Sequence, residues 1–274
     1  MAGPFGRLHQ AVDSLRVLPG LRHLGRWAYG RRFAVAKNTH LFHGHFLSQS
    51  AAQNAVPKAR RLGYDNSDSA KLYEGKLQID DYDYPALFWI KDAFDQGLRH
   101  VVDVGGSVGI KFYAFSKLST FPTDSLWTVV DVPAVVEEGR LFAVTRKAPS
   151  ALKFSASIPV SGVDILYVSG ALQYLPQTLR EILEVRQNLP RRIVINTAAL
   201  HDSKSFFTLN NIGTAICVYR VHDRSVFVKE IESLGYSLRD SWLNVGKKMT
   251  IPFEVGLDIE NYSGFCFDLE TNST

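Results

Sequence analysis

One stretch constrains this chain more than any other: Val101-Val102-Asp103-Val104-Gly105-Gly106-Ser107-Val108-Gly109. It reads as a short apolar strand, a glycine-rich turn and the start of a helix over 110–118. Strand, tight glycine turn and helix N-terminus together let backbone N–H groups come close to a ligand. The spacing narrows the ligand. A dinucleotide fingerprint runs G-x-G-x-x-G. Counted from Gly105, its second and third glycine positions hold Ser107 and Ile110, so that pattern fails and a nicotinamide oxidoreductase is disfavoured. The pattern acidic-x-Gly-x-(Gly or Ser)-x-Gly fits instead, at Asp103, Gly105, Ser107 and Gly109. An ordinary β-turn-α corner would also account for such a turn taken alone.

The rest of the chain supplies context. Apolar runs at 100–104, 126–131, 163–169 and 191–197 alternate with helix-like segments at 109–118, 133–147 and 177–189, and a weaker run falls at 152–154. Fully apolar strands separated by helices indicate a parallel sheet buried on both faces. After Ala199 the rhythm shifts. An amphipathic helix over 225–234 stops at Gly235, and 236–243 and 262–269 read as an antiparallel strand pair at the sheet edge. The expected fold class is α/β: a Rossmann-like, mostly parallel seven-stranded sheet, an antiparallel C-terminal pair and an N-terminal helical extension. The expected division is 1–97 as that extension and lid, and 98–274 as the ligand-binding domain.

Within the extension, residues 1–40 read as two helical pieces broken at Pro19-Gly20. Leu15, Leu18, Leu21, Leu24, Trp27 and Ala28 fall near helical spacing as a face to dock on the body. A helix over 48–59 follows, then a polar loop over 61–80, then a helix over 86–96 that Pro85 can start and Gly97 can end. The segment 41–85, rich in His, Tyr and Asp, is expected to pack over the carboxyl edge of the sheet as a lid.

The net charge of +4 is unevenly spread. Residues 1–40 carry Arg7, Arg16, Arg22, Arg26, Arg31, Arg32 and Lys37 against Asp13 alone, on an otherwise near-neutral body. Such an arm suits an anionic surface or a phosphorylated carrier. A solvated helical face is the plainer reading. No nucleic-acid module is visible, so nucleic acid is not an expected partner. No window approaches the ~20 apolar residues of a membrane span, and the N-terminus lacks a secretory pattern. Cys217 and Cys266 have no metal-ligand spacing and read as buried free thiols of a reducing compartment. The expected location is cytoplasmic; peripheral attachment to the inner membrane face through the basic arm is the alternative.

A second feature raises the value of the glycine turn. Asp131 ends the next apolar strand, one βα unit later, followed by Val132. An acidic residue at that tip can bind both hydroxyls of a ribose, and it can also cap the helix that starts at Pro133. The strand over 164–169 runs into Gly170-Ala171-Leu172-Gln173-Tyr174. Ligands of open α/β sheets lie beyond the carboxyl ends of the strands, so 169–174 should face one.

Asp-Val-Gly-Gly-Ser-x-Gly, Val-Asp-Val-Pro and Asp-Ile-Leu-Tyr-Val-Ser resemble motifs of the class I S-adenosylmethionine (SAM)-dependent O-methyltransferases. A wider resemblance covers most of the chain from residue 41. It is carried by Phe42-His43-Gly44, Asp83-Tyr84-Pro85, Trp127, Gly139-Arg140, the run from Gly170 to Leu175, and Tyr262-Ser263-Gly264-Phe265. These resemble a group of bacterial methyltransferases whose substrates are unassigned and which accompany surface-polysaccharide biosynthesis. The resemblance implies SAM as cofactor and a sugar, glycan or related small molecule as acceptor.

On that reading Gly105 and Gly106 admit the cofactor's methionine part, Ser107 belongs to the same loop, and Gly109 allows tight helix packing. Asp103 accepts from the ammonium group, Asp131 with Val132 holds the ribose, Ser155 lies toward adenine, and Ser169 or Gly170 offers a carbonyl. No metal is expected. Gln173 stands where many such enzymes carry a catalytic histidine, and glutamine is not a base. His201 with Asp202, just past the fifth strand, is therefore the favoured base, with His222, His43 and His45 as further candidates. Gln173 and Tyr174 would orient the acceptor, and Tyr82, Tyr84, Tyr113 and Trp89 would wall the pocket. The rival reading is a non-catalytic scaffold that keeps the loop without the base.

Overall fold

The computed structural model describes residues 19–37, 40–66, 68–69 and 77–270. The strands in chain order are β1 (Leu41–Phe46), β2 (His100–Val104), β3 (Leu126–Val130), β4 (Leu152–Ser155), β5 (Ile165–Ser169), β6 (Arg192–Ala198), β7 (Leu200–His201), β8 (Phe206–Asn211), β9 (Ile216–Asp223), β10 (Tyr236–Asn244) and β11 (Tyr262–Leu269). The helices are α1 (Pro19–Val35), α2 (Gln49–Asn54), α3 (Tyr84–Asp95), α4 (Ile110–Ser116), α5 (Pro133–Thr145), α6 (Leu179–Glu184) and α7 (Arg224–Glu232). The chain divides into two compact units. One holds Met1–Gly63, Phe206–Tyr219 and Met249–Asp258; the other holds Tyr64–Ser205, Arg220–Lys248 and Ile259–Thr274.

The larger unit carries a seven-stranded sheet in the order β10-β11-β6-β5-β2-β3-β4. β4, β3, β2, β5 and β6 are mutually parallel, while β11 runs antiparallel to both β6 and β10. The switch point lies at β2, whose neighbours β3 and β5 continue the chain in opposite directions across the sheet. This order, with its reversed strand β11, is the Rossmann-like, mostly parallel seven-stranded sheet expected from the sequence.

Strand parity explains the core. Val102, Val104, Leu166, Val168, Ile193 and Ile195 point to one face and meet α6 and α7. Val101, Trp127, Val129, Ile165, Tyr167 and Val194 point to the other and meet α3 and α4. Both faces are apolar because both are covered, which is why these strands read as unbroken hydrophobic runs. Pro85 sits in the first turn of α3 and Pro133 opens α5, where a missing N–H costs nothing.

The smaller unit contains a second sheet that the sequence reading did not foresee. β1 pairs antiparallel with β8, from Leu41↔Asn211 to Phe46↔Phe207, and β9 follows β8 through the turn at Gly213. Buried Thr208, Asn210 and Asn211 interrupt the apolar alternation of β8. Each has a partner: Thr208 donates to the His43 carbonyl, and the Asn210 and Asn211 amides donate to Leu41 and Phe33 carbonyls. β9 ends in the larger unit, where His222 and Asp223 pair with β7.

Two further expectations change. Helix α2 ends at Asn54, well short of 59, with Ser48 capping its start and Pro57 soon after its end. Helix α1 begins at Pro19, where the sequence places the break, and the residues of the first expected piece lie outside the described residues. Of its expected docking face, Leu24, Trp27 and Ala28 point to solvent; the helix packs through Tyr29 and Phe33 instead. Leu15 and Leu18, and the Leu21 side chain, lie outside the described residues. Among the described residues no helix is long and apolar enough to cross a membrane. Cys217 and Cys266 are both buried and unpaired.

Candidate functional site

The site is the carboxyl end of the large sheet, at the switch point beside β2. Gly105 follows β2 with φ +71°, and its N–H donates to the Val130 carbonyl at 2.7 Å. A Cβ there would stand 2.2 Å from the Ala171 Cβ, so the turns after β2 and β5 touch at this point. A Cβ on Gly106 would stand 2.5 Å from the Asp103 carboxyl. Both glycines are therefore demanded by the protein's own neighbours, whereas the sequence reading assigned them to close approach of a ligand. Gly109 is set by its φ of +89° at the N-cap of α4; a Cβ there would make only ordinary contacts with Tyr113, Leu152 and Phe154.

Ser107 is the unusual member of the loop. It holds a left-handed φ of +55° that favours glycine. Its N–H donates to Asp131 Oδ2 at 2.9 Å, while its hydroxyl is buried without a hydrogen-bond partner. A buried hydroxyl left unpaired costs about 1–3 kcal/mol, so a ligand that engaged it would recover that cost.

Asp131 lies one residue beyond β3. Its second oxygen accepts the Val132 N–H at 2.8 Å. Each carboxylate oxygen thus takes one backbone N–H and keeps acceptor capacity for a hydroxyl. Burial raises its pKa to about 6, opposed by the two N–H donors and helped by the Asp65 charge nearby. Asp65 itself accepts the Ala134 N–H at 3.0 Å, at the start of α5. The Tyr64 ring lies 6.1 Å from the Tyr174 ring. So the Tyr64-Asp65 pair reaches both the start of α5 and the turn after β5.

Asp103 behaves differently from the sequence expectation. It is 1% exposed, and it accepts from the Trp127 indole N–H at 3.2 Å. Burial pushes its pKa up to about 7; the Trp127 bond and Lys111 oppose this, and Asp131 adds to it. Parity puts it on the same face as Val101, among Trp127, Phe112 and Tyr167, so it is a strut beneath Gly106 and not an open acceptor.

Beyond β5, Gln173 is buried. Its amide nitrogen donates to the Gly170 carbonyl at 2.9 Å and the Thr197 carbonyl at 3.3 Å, while its Oε1 has no partner. It braces the ends of β5 and β6. The Gly170 carbonyl, expected to receive an ammonium, already accepts that amide and retains one lone pair. Ser169 Oγ lies 3.4 Å from Thr197 Oγ1. Ser155 is turned into a local loop: it donates to the Ser157 carbonyl and accepts the Ser157 N–H.

His201 Nδ1 accepts the Ser203 N–H at 3.1 Å. Its neutral ring in that contact carries the proton on Nε2, which makes it a donor there. Asp202 is almost fully exposed, its carboxylate 3.7 Å from Arg224 Nε. His222 is buried against Phe227, which with Arg220 lowers its pKa to about 4. His43 is also lowered by burial, then by Arg26.

The expected aromatic wall is dispersed. Trp89 donates to Asp240 and stacks under Arg192, the first residue of β6, so it sits at the opposite end of the sheet. Tyr84 is exposed, and Tyr82 donates to Asp80. Tyr113 stays beside the glycine loop, its hydroxyl buried without a partner.

A buried polar chain supports the site from below and was not read from the sequence. Lys111 of α4 donates to Asp83 at 2.5 Å, and Asp83 accepts the Asn196 amide at 2.9 Å. Asn196 accepts from Asn244 and Trp242, and Asn244 accepts the Thr197 N–H at 3.1 Å. Thr197 holds φ +51° at the end of β6. The signal available was Asn196-Thr197 closing an otherwise apolar strand, together with the acid of Asp83-Tyr84-Pro85.

No protein-family model matches this chain, and no curated protein matches it. Solved structures do. The mitomycin 7-O-methyltransferase MmcR is 15% identical, with a TM-score of 0.48, over 95% of this chain and 71% of that one. OxaC, solved in complex with S-adenosylhomocysteine (SAH) and oxaline, is 16% identical with a TM-score of 0.47, over 76% of this chain and 52% of that one. The 1,6-didemethyltoxoflavin-N1-methyltransferase of Burkholderia thailandensis, with bound 1,6-didemethyltoxoflavin and SAH, is 16% identical with a TM-score of 0.42, over 70% and 92%.

Proposed function

We propose that the larger unit binds SAM at the switch point and that the protein is a SAM-dependent methyltransferase acting on a hydroxyl of a sugar, glycan or related small molecule. The observation that carries the reading is Asp131. It is a carboxylate fixed by the Ser107 and Val132 N–H groups at the tip of the strand beside β2, with lone pairs left for two ribose hydroxyls. The orphan Ser107 hydroxyl and the spare lone pair of the Gly170 carbonyl supply further polar contacts of the kind this cofactor needs.

When bound, SAM supplies an electrophilic methyl group, and the protein's contribution is to position an acceptor in line with it and exclude water. Gln173 holds the β5 and β6 ends at a fixed separation, and its unpaired Oε1 can accept from an acceptor hydroxyl. Tyr64, Asp65 and Tyr174 cover the crevice as the lid. For His201 to take a proton at Nε2, its ring must move the existing proton to Nδ1 and give up the Ser203 contact. The acceptor class follows from the sequence resemblance.

The second reading, a scaffold that binds the nucleoside without transferring the methyl group, is favoured by Gln173 at the position of the usual base. The test is SAH formation on a panel of hydroxylated acceptors, with SAM affinity measured separately. We expect SAM but not NAD to bind, turnover on a sugar acceptor, and a loss of about 10²–10⁴ in turnover for His201→Ala at unchanged SAM affinity. Binding without turnover on any acceptor supports the scaffold; binding of NAD in place of SAM overturns both readings.

A further inference from the structure

Helix α1 meets its own unit through one face. The Tyr29 hydroxyl donates to the Phe42 carbonyl at 2.9 Å, and Phe33 is buried with its ring 5.1 Å from that of His43. The opposite face points to solvent. Leu24, Trp27 and Val35 are 64%, 62% and 72% exposed, and they fall with Ala28 and Arg31 at three- and four-residue spacing. Arg22, Arg26, Arg31 and Arg32 lie on the same helix and are exposed, and the helix carries no acidic residue. A helix that only covers a core turns its apolar stripe inward and its polar residues out. Here an apolar stripe also faces out, mixed with cations.

A cavity of about 530 Å³ opens beside this face. Trp27 and Arg31 line it together with His23, Arg26, Gly30 and His43. The Arg31 guanidinium lies 5.0 Å from the Trp27 ring centre, so the two form one surface. Arg26 pairs with Glu254. Burial holds the His43 pKa below its ordinary value, and of the arginines that line the cavity Arg26 is offset by Glu254 while Arg31 carries its charge on the Trp27 ring.

We propose that α1 seats this unit on an anionic phospholipid surface. Leu24, Trp27 and Val35 enter the headgroup layer, and a lipid phosphate is taken at the Arg26–Arg31 rim of the cavity. Charge selects this occupant: each arginine near an anionic bilayer contributes about 1 kcal/mol, and no acid on the helix opposes it, Glu254 from outside the helix offsetting Arg26 alone among Arg22, Arg26, Arg31 and Arg32. Trp at the rim suits the headgroup level. Basic residues flanking a Trp- and Leu-bearing stripe are the signature of a helix lying in an interface. The proposal does not depend on the methyltransferase reading.

Co-sedimentation of the full chain tests it, using vesicles of phosphatidylcholine with and without phosphatidylglycerol, and inorganic phosphate as the soluble competitor. We expect partition onto the mixed vesicles, little onto phosphatidylcholine alone, and release by salt. The double change Arg31→Glu and Arg32→Glu should weaken partition at least ~10-fold. Trp27→Ala and, independently, Leu24→Ser should each weaken it several-fold, with the thermal melt unchanged because these side chains are exposed. Equal partition onto both vesicles, none onto either, or wild-type partition by all variants would overturn the proposal. So would phosphate binding in calorimetry without vesicle binding, which would make the cavity a site for a soluble phosphate.

Discussion

Asp103 and Asp131 stand at the tips of neighbouring parallel strands, and each borders the glycine loop, yet they do different work. Asp103 is the penultimate residue of β2, and parity turns it into the aromatic face, where Trp127 holds it and Gly106 closes over it. Asp131 is one residue past β3, where the chain has left the sheet and its carboxylate gathers two N–H groups. The acid that defines the loop motif is thus a strut, and the acid one unit later is the one that the proposed function assigns to the ligand. Residue type and parity do not separate the two roles, since Asp131 shares the parity of Val129 and of Asp103; position along the strand does, Asp103 lying within β2 and Asp131 past the end of β3.

The largest effect expected from this contrast is at Gly105. Gly105→Ala places a Cβ against Ala171 at a φ suited to glycine, so the two turns must part. We expect a loss of stability of ~3 kcal/mol or more and no measurable cofactor binding, read by denaturant unfolding and calorimetry. Normal binding by this variant would mean that the contact between the two turns does not shape the crevice.

Asp103→Asn sharpens the comparison through pH. The folded-state pKa of Asp103 is raised to about 7, so the folded protein holds a proton that the unfolded chain has already released. Its contribution to stability therefore falls as pH rises from about 4 to about 7 and is level above that. The asparagine variant escapes this loss while its carbonyl still accepts from Trp127. It should match wild type near pH 4 and exceed it at pH 8, by on the order of 1–3 kcal/mol. A variant equally shifted at both pH values would refute the strut account.

Ser107→Ala should change least. Its hydroxyl has no partner in the protein, so stability should stay within ~0.5 kcal/mol or rise slightly. Cofactor affinity should fall several-fold, because a partner supplied by the ligand is lost.

The large sheet was legible because its strands are apolar on both faces and its helices are bounded by Pro85, Gly97, Pro133 and Gly235. Asp131 was legible for the same reason, since it ends an apolar run. Other features depend on partners distant in sequence. β8 pairs with β1, whose residues lie far upstream, and its buried asparagines look like loop residues until the carbonyls of Phe33 and Leu41 are seen opposite them. The Lys111–Asp83–Asn196–Asn244 chain joins four separate elements, so no local pattern announces it. The outward face of α1 was misjudged because periodicity gives an apolar stripe but not the side on which the body lies; Tyr29 and Phe33 decide that.

The most direct test of the central claim is calorimetric titration of SAH into wild type, Asp131→Ala and Asp103→Asn under identical conditions. The account predicts a single binding isotherm for wild type, a weakening of ~100-fold or more for Asp131→Ala from loss of a charged acceptor for two hydroxyls, and near-wild-type affinity for Asp103→Asn. An Asp131→Ala isotherm that overlays the wild type, or absence of binding by the wild type itself, would contradict it.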